Sequence, residues 1–174
     1  MLKIFTRQRD ESRTPPTAAD GRRLLAEQDL ARGTLAAAVA ALVAMALWVW
    51  AGLLFDRYFP WVSMLQGMLI GLAMRRYGRG LGLAYAAVAA AIATVAAAVG
   101  SFLNALFLTG REFGMNALGL VDEISLYTVE TFIVREFGVI GLIYMVFAAI
   151  LAAFYSNRRL KRGQAAALRR ARQA

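Results

Sequence analysis

The chain has no cysteine and no histidine. Together these absences exclude disulfides, thiolate and imidazole metal sites, a cysteine nucleophile and the commonest general base. Serine is left without an imidazole to activate it. Proline is scarce, three in 174 residues. No stretch alternates polar and apolar residues for long enough to supply the strands of an outer-membrane barrel. Charge is missing where its absence says most, because no Asp, Glu, Lys or Arg stands between Leu81 and Leu108.

That uncharged run is 28 residues long and holds 11 alanines. As a helix rising about 1.5 Å per residue it exceeds a hydrocarbon core of about 30 Å. It is expected to cross a membrane, and its small side chains suit packing on other helices better than a solitary place in lipid. The chain is 60% hydrophobic, which makes the expected class an all-α integral membrane protein, four transmembrane helices in a small bundle. The membrane domain is read as 33–155, with spans at 33–55, 59–76, 81–108 and 137–155. The second span is the short one, and Arg75 and Arg76 are expected to snorkel to the headgroups and extend it. Trp48, Trp50 and Phe55, with Tyr58, Phe59 and Trp61 beyond the turn at Asp56, Arg57 and Pro60, read as an interfacial aromatic belt. So short a turn makes the first two spans an antiparallel hairpin.

Residues 1–32 form a polar N-terminal arm. Thr17 and Asp20 have capping-box spacing there, and 21–31 reads either as a short helix resting Leu24, Leu25 and Leu30 on the bilayer or as a solvated tail. The first apolar run begins too late and is too long for a cleavable signal peptide, so none is expected. Segment 109–136 is the longest connection. It is expected to carry a short amphipathic helix over 118–134, with Leu120, Ile124, Tyr127 and Val134 along one side and Glu123 and Glu130 beside them. Residues 156–174 make a basic tail.

The net charges of the five non-spanning segments are +2, 0, +3, −3 and +7 in chain order. Lys and Arg resist translocation, so the first, third and fifth segments are assigned to the cytoplasm and 109–136 to the outside. The location expected is an inner (plasma) membrane of bacterial type, with both termini cytoplasmic. Arg75, Arg76, Arg158, Arg159, Lys161 and Arg162 are assigned to anionic lipid headgroups, ahead of nucleic acid.

Gly67 and Gly71 form a GxxxG step in the second span, and Gly82, Ala86, Ala90, Thr94 and Ala98 recur every four residues in the third. Both are candidate helix-packing grooves, within one chain or between copies. Polar residues inside spans are few: Gln66, Thr94, Ser101 and Asn104. None is ionisable, which disfavours proton-coupled transport. The GRGLG turn over 78–82 lacks the strand and the Lys-Ser/Thr of a phosphate loop. In the outer loop Glu123, Ile124, Tyr127 and Glu130 are candidate partner-docking residues. Asp122, Glu123 and Glu130 are a weaker metal set, having no glycine-punctuated ligand loop. No catalytic, cofactor or metal site is assigned. The function expected is a non-catalytic membrane subunit or scaffold packing with partner membrane proteins or with copies of itself, and the alternative is a small channel or transporter with a pathway between helices or protomers.

Overall fold

The computed structural model describes residues 17–112, 114 and 138–173. They form six helices: α1 (Ala18–Ala26), α2 (Leu30–Phe55), α3 (Val62–Gly78), α4 (Leu83–Glu112), α5 (Gly138–Ser156) and α6 (Arg162–Gln173). The expected loop helix over 118–134, with Glu123, Ile124, Tyr127 and Glu130, lies outside the described residues. Of the four expected spans, α2, α4 and α5 are long and apolar enough to cross a membrane, which is the architecture of a helical multi-pass membrane protein. Helix α3 has 17 residues, about 25 Å at about 1.5 Å per residue, and by length alone falls short of a core of about 30 Å.

Helix boundaries follow local chemistry. Thr17 caps α1, its hydroxyl accepting from the Asp20 amide at 3.3 Å while the Asp20 carboxylate accepts from the Thr17 amide at 3.0 Å, a reciprocal capping box. The expected helix over 21–31 is therefore earlier and shorter, because Asp29 starts a second helix by accepting from the Arg32 amide at 2.9 Å. That restart places Leu30 and Arg32 in α2, three residues ahead of the expected start of the first span. Helices α2 and α3 end on left-handed residues, Asp56 (φ 51°) and Arg79 (φ 49°), which turn the chain back without glycine. Pro60 opens the way into α3, its carbonyl accepting from the Ser63 amide at 3.3 Å and hydroxyl at 2.8 Å.

The chain divides into two compact units, one drawn from 1–28 and 158–174 and the other from 29–157. In the first, α1 packs on α6. A Cβ on Gly21 would lie 2.6 Å from the Ala171 Cβ, and Gly21 and Leu24 are buried on one helix, Ala167 and Leu168 on the other. Arg158, ahead of α6, pairs at 2.9 Å with Glu27 at the end of α1. The two helices are therefore antiparallel.

In the second unit α3 and α4 form the middle, with α2 and α5 each packed against both. Register fixes direction. Gly33 meets Met74 and Gly78 while Gln66 reaches the Ala41 carbonyl, so α2 and α3 are antiparallel. Gly100 meets the Trp48 ring and Gly52 meets Asn104, so α2 and α4 run parallel. Gly67 meets Ala148 and Gly71 meets Ala152, so α3 and α5 run parallel too. The core is mostly small: Ala37, Ala41, Ala89, Ala93, Ala96 and Ala152 around Ile70, Met74 and Tyr85. Large apolar side chains point out instead, among them Leu35, Leu42, Leu47 and Leu54 on α2 and Val139, Ile140, Ile150 and Phe154 on α5. Small inside and large outside is the arrangement in which lipid solvates the exterior and close backbone packing holds the interior.

Candidate functional site

Several glycines in the second unit bring helices too close for a Cβ to fit. A Cβ on Gly67 would lie 2.8 Å from the Cα of Ala148, and one on Gly71 would lie 2.6 Å from the Ala152 carbonyl oxygen and 2.9 Å from the Tyr155 Cβ. The GxxxG step of α3 thus packs on α5 of the same chain, backbone against backbone. Gly33 and Gly78 make a second close approach, the Cβ on Gly33 falling 2.8 Å from the Gly78 Cα, beside a hydrogen bond of 3.0 Å from the Asp29 amide to the Gly78 carbonyl. Sequence reasoning missed this pair because the two glycines stand 45 positions apart and on different helices, where no single-helix periodicity joins them.

On α4 the buried line runs through Tyr85, Ala89, Ala93, Ala97 and Gly100. The line singled out from sequence stands beside it: Ala86, Ala90 and Thr94 are half-buried and Ala98 is exposed. Gly82 precedes the helix, and nothing lies within 4 Å of a Cβ placed on it. In so alanine-rich a helix several four-residue ladders coexist, and the one chosen by the fold carries Tyr85 and ends on Gly100 and Asn104. The Thr94 hydroxyl turns back to donate to the Ala90 carbonyl at 2.9 Å, the local bond that serine and threonine make in helices.

At the end of the bundle near the α2–α3 turn, polar groups collect in the interior. Trp48 is 1% and Asn104 0% exposed. Tyr58 stacks on Trp48 with ring centroids 6.0 Å apart and is hydrogen-bonded to Ser101. Burial raises the Tyr58 phenol pKa above its ordinary value, and that hydrogen bond offsets part of the rise. The Asn104 carboxamide sits against Gly52, whose missing side chain makes room for it. Both polar atoms of Asn104, the Trp48 Nε1 and the Gln66 Oε1 have no hydrogen-bond partner, each costing about 1–3 kcal/mol when left so in a protein interior. Gln66 spends its amide on the Ala41 carbonyl at 3.4 Å. Just beyond, the Arg111 guanidinium donates to the Leu53 carbonyl, satisfying one of the open carbonyls in the last turn of α2.

The basic residues fall into two groups. Arg75 and Arg76 occupy the last turn of α3, where cations complement the helix dipole. Arg159, Lys161 and Arg162 are exposed while Arg158 is half-buried and paired with Glu27. Among the described residues no group of Asp and Glu gathers in a way that would hold a metal ion. No family model, curated protein or solved structure matches the chain.

Proposed function

We propose that the chain is a four-span, non-catalytic membrane subunit or scaffold, packing with partner membrane proteins or with copies of itself. The observation that carries this is the interior of the α2–α5 bundle, where Gly67, Gly71, Gly33 and Gly78 bring backbones into contact and alanines fill the remainder. Such an interior is a rigid packing element, and it leaves the large outward side chains for lipid and neighbouring proteins.

Four crossings follow from parity. The packing of α1 on α6 supports putting both flanks of the bundle on one side of the membrane, which would make the number of crossings between them even. With α2, α4 and α5 crossing, α3 crosses as well. The charge tally puts that shared side in the cytoplasm, and a bacterial-type inner membrane is the location proposed. The absence of cysteine makes single-cysteine variants specific. In intact cells an impermeant maleimide is expected to label Arg57→Cys but neither Gly82→Cys nor Gln173→Cys, and labelling of either of the latter overturns the topology. Purification in mild detergent should yield a complex heavier than one chain. A lone monomer at native expression overturns the subunit reading.

The second reading, a small channel or transporter, is favoured by one observation: the unpartnered Asn104, Trp48 and Gln66 atoms, polar groups that a passing solute could satisfy. Solute flux into vesicles that Asn104→Leu abolishes would select it over the scaffold.

A further inference from the structure

The unit formed by α1 and α6 has spent its apolar surface on itself. Leu24, which on a solitary amphipathic helix would rest in the bilayer, is buried, as are Gly21, Ala167 and Leu168. What remains outside is mostly charge, with small residues such as Ala19 and Ala26 exposed and Leu25 and Leu160 half-buried. Over 17–28 and 158–173 Lys and Arg outnumber Asp and Glu nine to two. Both acids are already engaged, Asp20 with Thr17 and Glu27 with Arg158. On α6, Arg162 and Arg169 are seven apart and Arg172 three further, a spacing that sets all three on one side of the helix. Ala167 marks the opposite, buried side, and Leu168, four residues before Arg172, is buried on the flank between them. Arg22 and Arg23 are exposed on α1.

We propose that the α1–α6 pair is an electrostatic clasp for an anionic lipid surface, holding by charge with no inserted apolar face. Lipid is the occupant because of chain continuity. Gln28 is followed at once by Asp29, the cap of α2, and Arg158 stands two residues after the end of α5. Chain connectivity thereby ties the clasp by short links to helices proposed to cross the bilayer, which keeps it near headgroups whose potential extends over a Debye length of about 8 Å at physiological salt. Two features distinguish it from an amphipathic surface helix: salt releases it, and neutral lipid does not hold it. The proposal rests on the reading that α2 and α5 cross the membrane.

The test uses the full chain with a fluorophore on Gln173→Cys and an energy acceptor on the lipid headgroups. Vesicles are either phosphatidylcholine alone or an equal mixture with phosphatidylglycerol. Co-flotation with the neutral vesicles reports on the spans, so its failure overturns the membrane reading and not merely the clasp. Energy transfer is expected to be higher in the anionic vesicles and to fall in salt of about 1 M, where the Debye length is about 3 Å. Each arginine neutralised among Arg22, Arg23, Arg162, Arg169 and Arg172 should lower the docked-to-undocked ratio by about fivefold. Exchange of the same residues to lysine should retain docking, which separates lost charge from lost fold. Transfer that ignores lipid charge and salt overturns the proposal. So does preferential binding of duplex nucleic acid over phosphatidylglycerol vesicles at matched phosphate, which would identify the surface as a nucleic-acid contact.

Discussion

Replacing Gly67 with alanine adds one methyl group where the structure has no room for it. The new Cβ would lie 2.7 Å from the carbonyl carbon and 2.8 Å from the Cα of Ala148, against an ordinary carbon contact of about 3.5–4.0 Å. All the crowding atoms belong to the backbone of α5, so no rotamer change relieves them and the helix itself must retreat by about 1 Å. A retreat of that size forfeits about a quarter to a half of each affected contact's attraction, and it reaches the next turn, where Gly71 meets Ala152. Overpacking of this kind costs about 1–3 kcal/mol, and Gly67→Ile, with three more carbons to place, costs more. Thermal unfolding in mild detergent reads the loss directly. Gly82→Ala is the control, because a Cβ there meets nothing within 4 Å and should change stability by less than about 0.5 kcal/mol. If Gly67→Ala unfolds at the same temperature as Gly82→Ala, the backbone contact between α3 and α5 is not what holds them.

Asn104→Leu, which keeps the branching and the number of side-chain heavy atoms but is apolar and bulkier, should raise thermal stability, because it removes a buried amide with no partner worth about 1–3 kcal/mol; a drop in stability would refute this. Asp20 is held below the usual carboxylate range by its side-chain and backbone hydrogen bonds from Thr17. A depressed carboxylate stabilises the fold above its unfolded pKa and loses that contribution as pH falls through the folded value, so α1 should loosen only under acid. In Thr17→Ala the Asp20 titration followed by NMR should move up towards the ordinary value, and an unchanged titration would deny the capping box its role.

How far the fold could be read from sequence depended on whether the signal lay within one helix or between two. Charge-free runs marked α2, α4 and α5 to within a few residues, since lipid tolerates little else along 19 or more positions. The capping box at Thr17 and Asp20 was visible too, because its partners are three residues apart. The α1–α6 pairing was not, since its members sit at opposite ends of the chain and each alone reads as a charged tail. Small-residue ladders fell in between. Gly67 and Gly71 stand out in a helix with few other small residues, whereas in α4 the abundance of alanine hides which ladder the fold uses. Gly52 could be recognised only with its partner Asn104 in view, because a glycine that makes room for a carboxamide leaves no periodic trace.

Length measured along one helix misleads when its neighbours supply a better gauge of depth. Helix α3 is nine residues shorter than α2, with 17 against 26, yet its Gly78 end lies level with Gly33 near the start of α2. At its other end the shortfall falls where the chain is most aromatic. Tyr58 folds back to stack on Trp48, and Phe59 meets both Phe55 and Trp61 edge to face, at 6.1 and 6.2 Å between centroids. Trp48 is enclosed in the bundle and is not part of an interfacial belt, whereas Phe55 and Trp61 are exposed, the kind of ring that favours the headgroup level and would flank α3 if it crosses. At the Gly78 end Arg75 and Arg76 would extend the reach by snorkelling if α3 crosses. A helix of about 25 Å bounded by exposed rings and an arginine pair is what a crossing of a core of about 30 Å by so short a helix would require. The fourth crossing proposed from the pairing of the termini thus asks nothing of α3 that its flanks do not already provide.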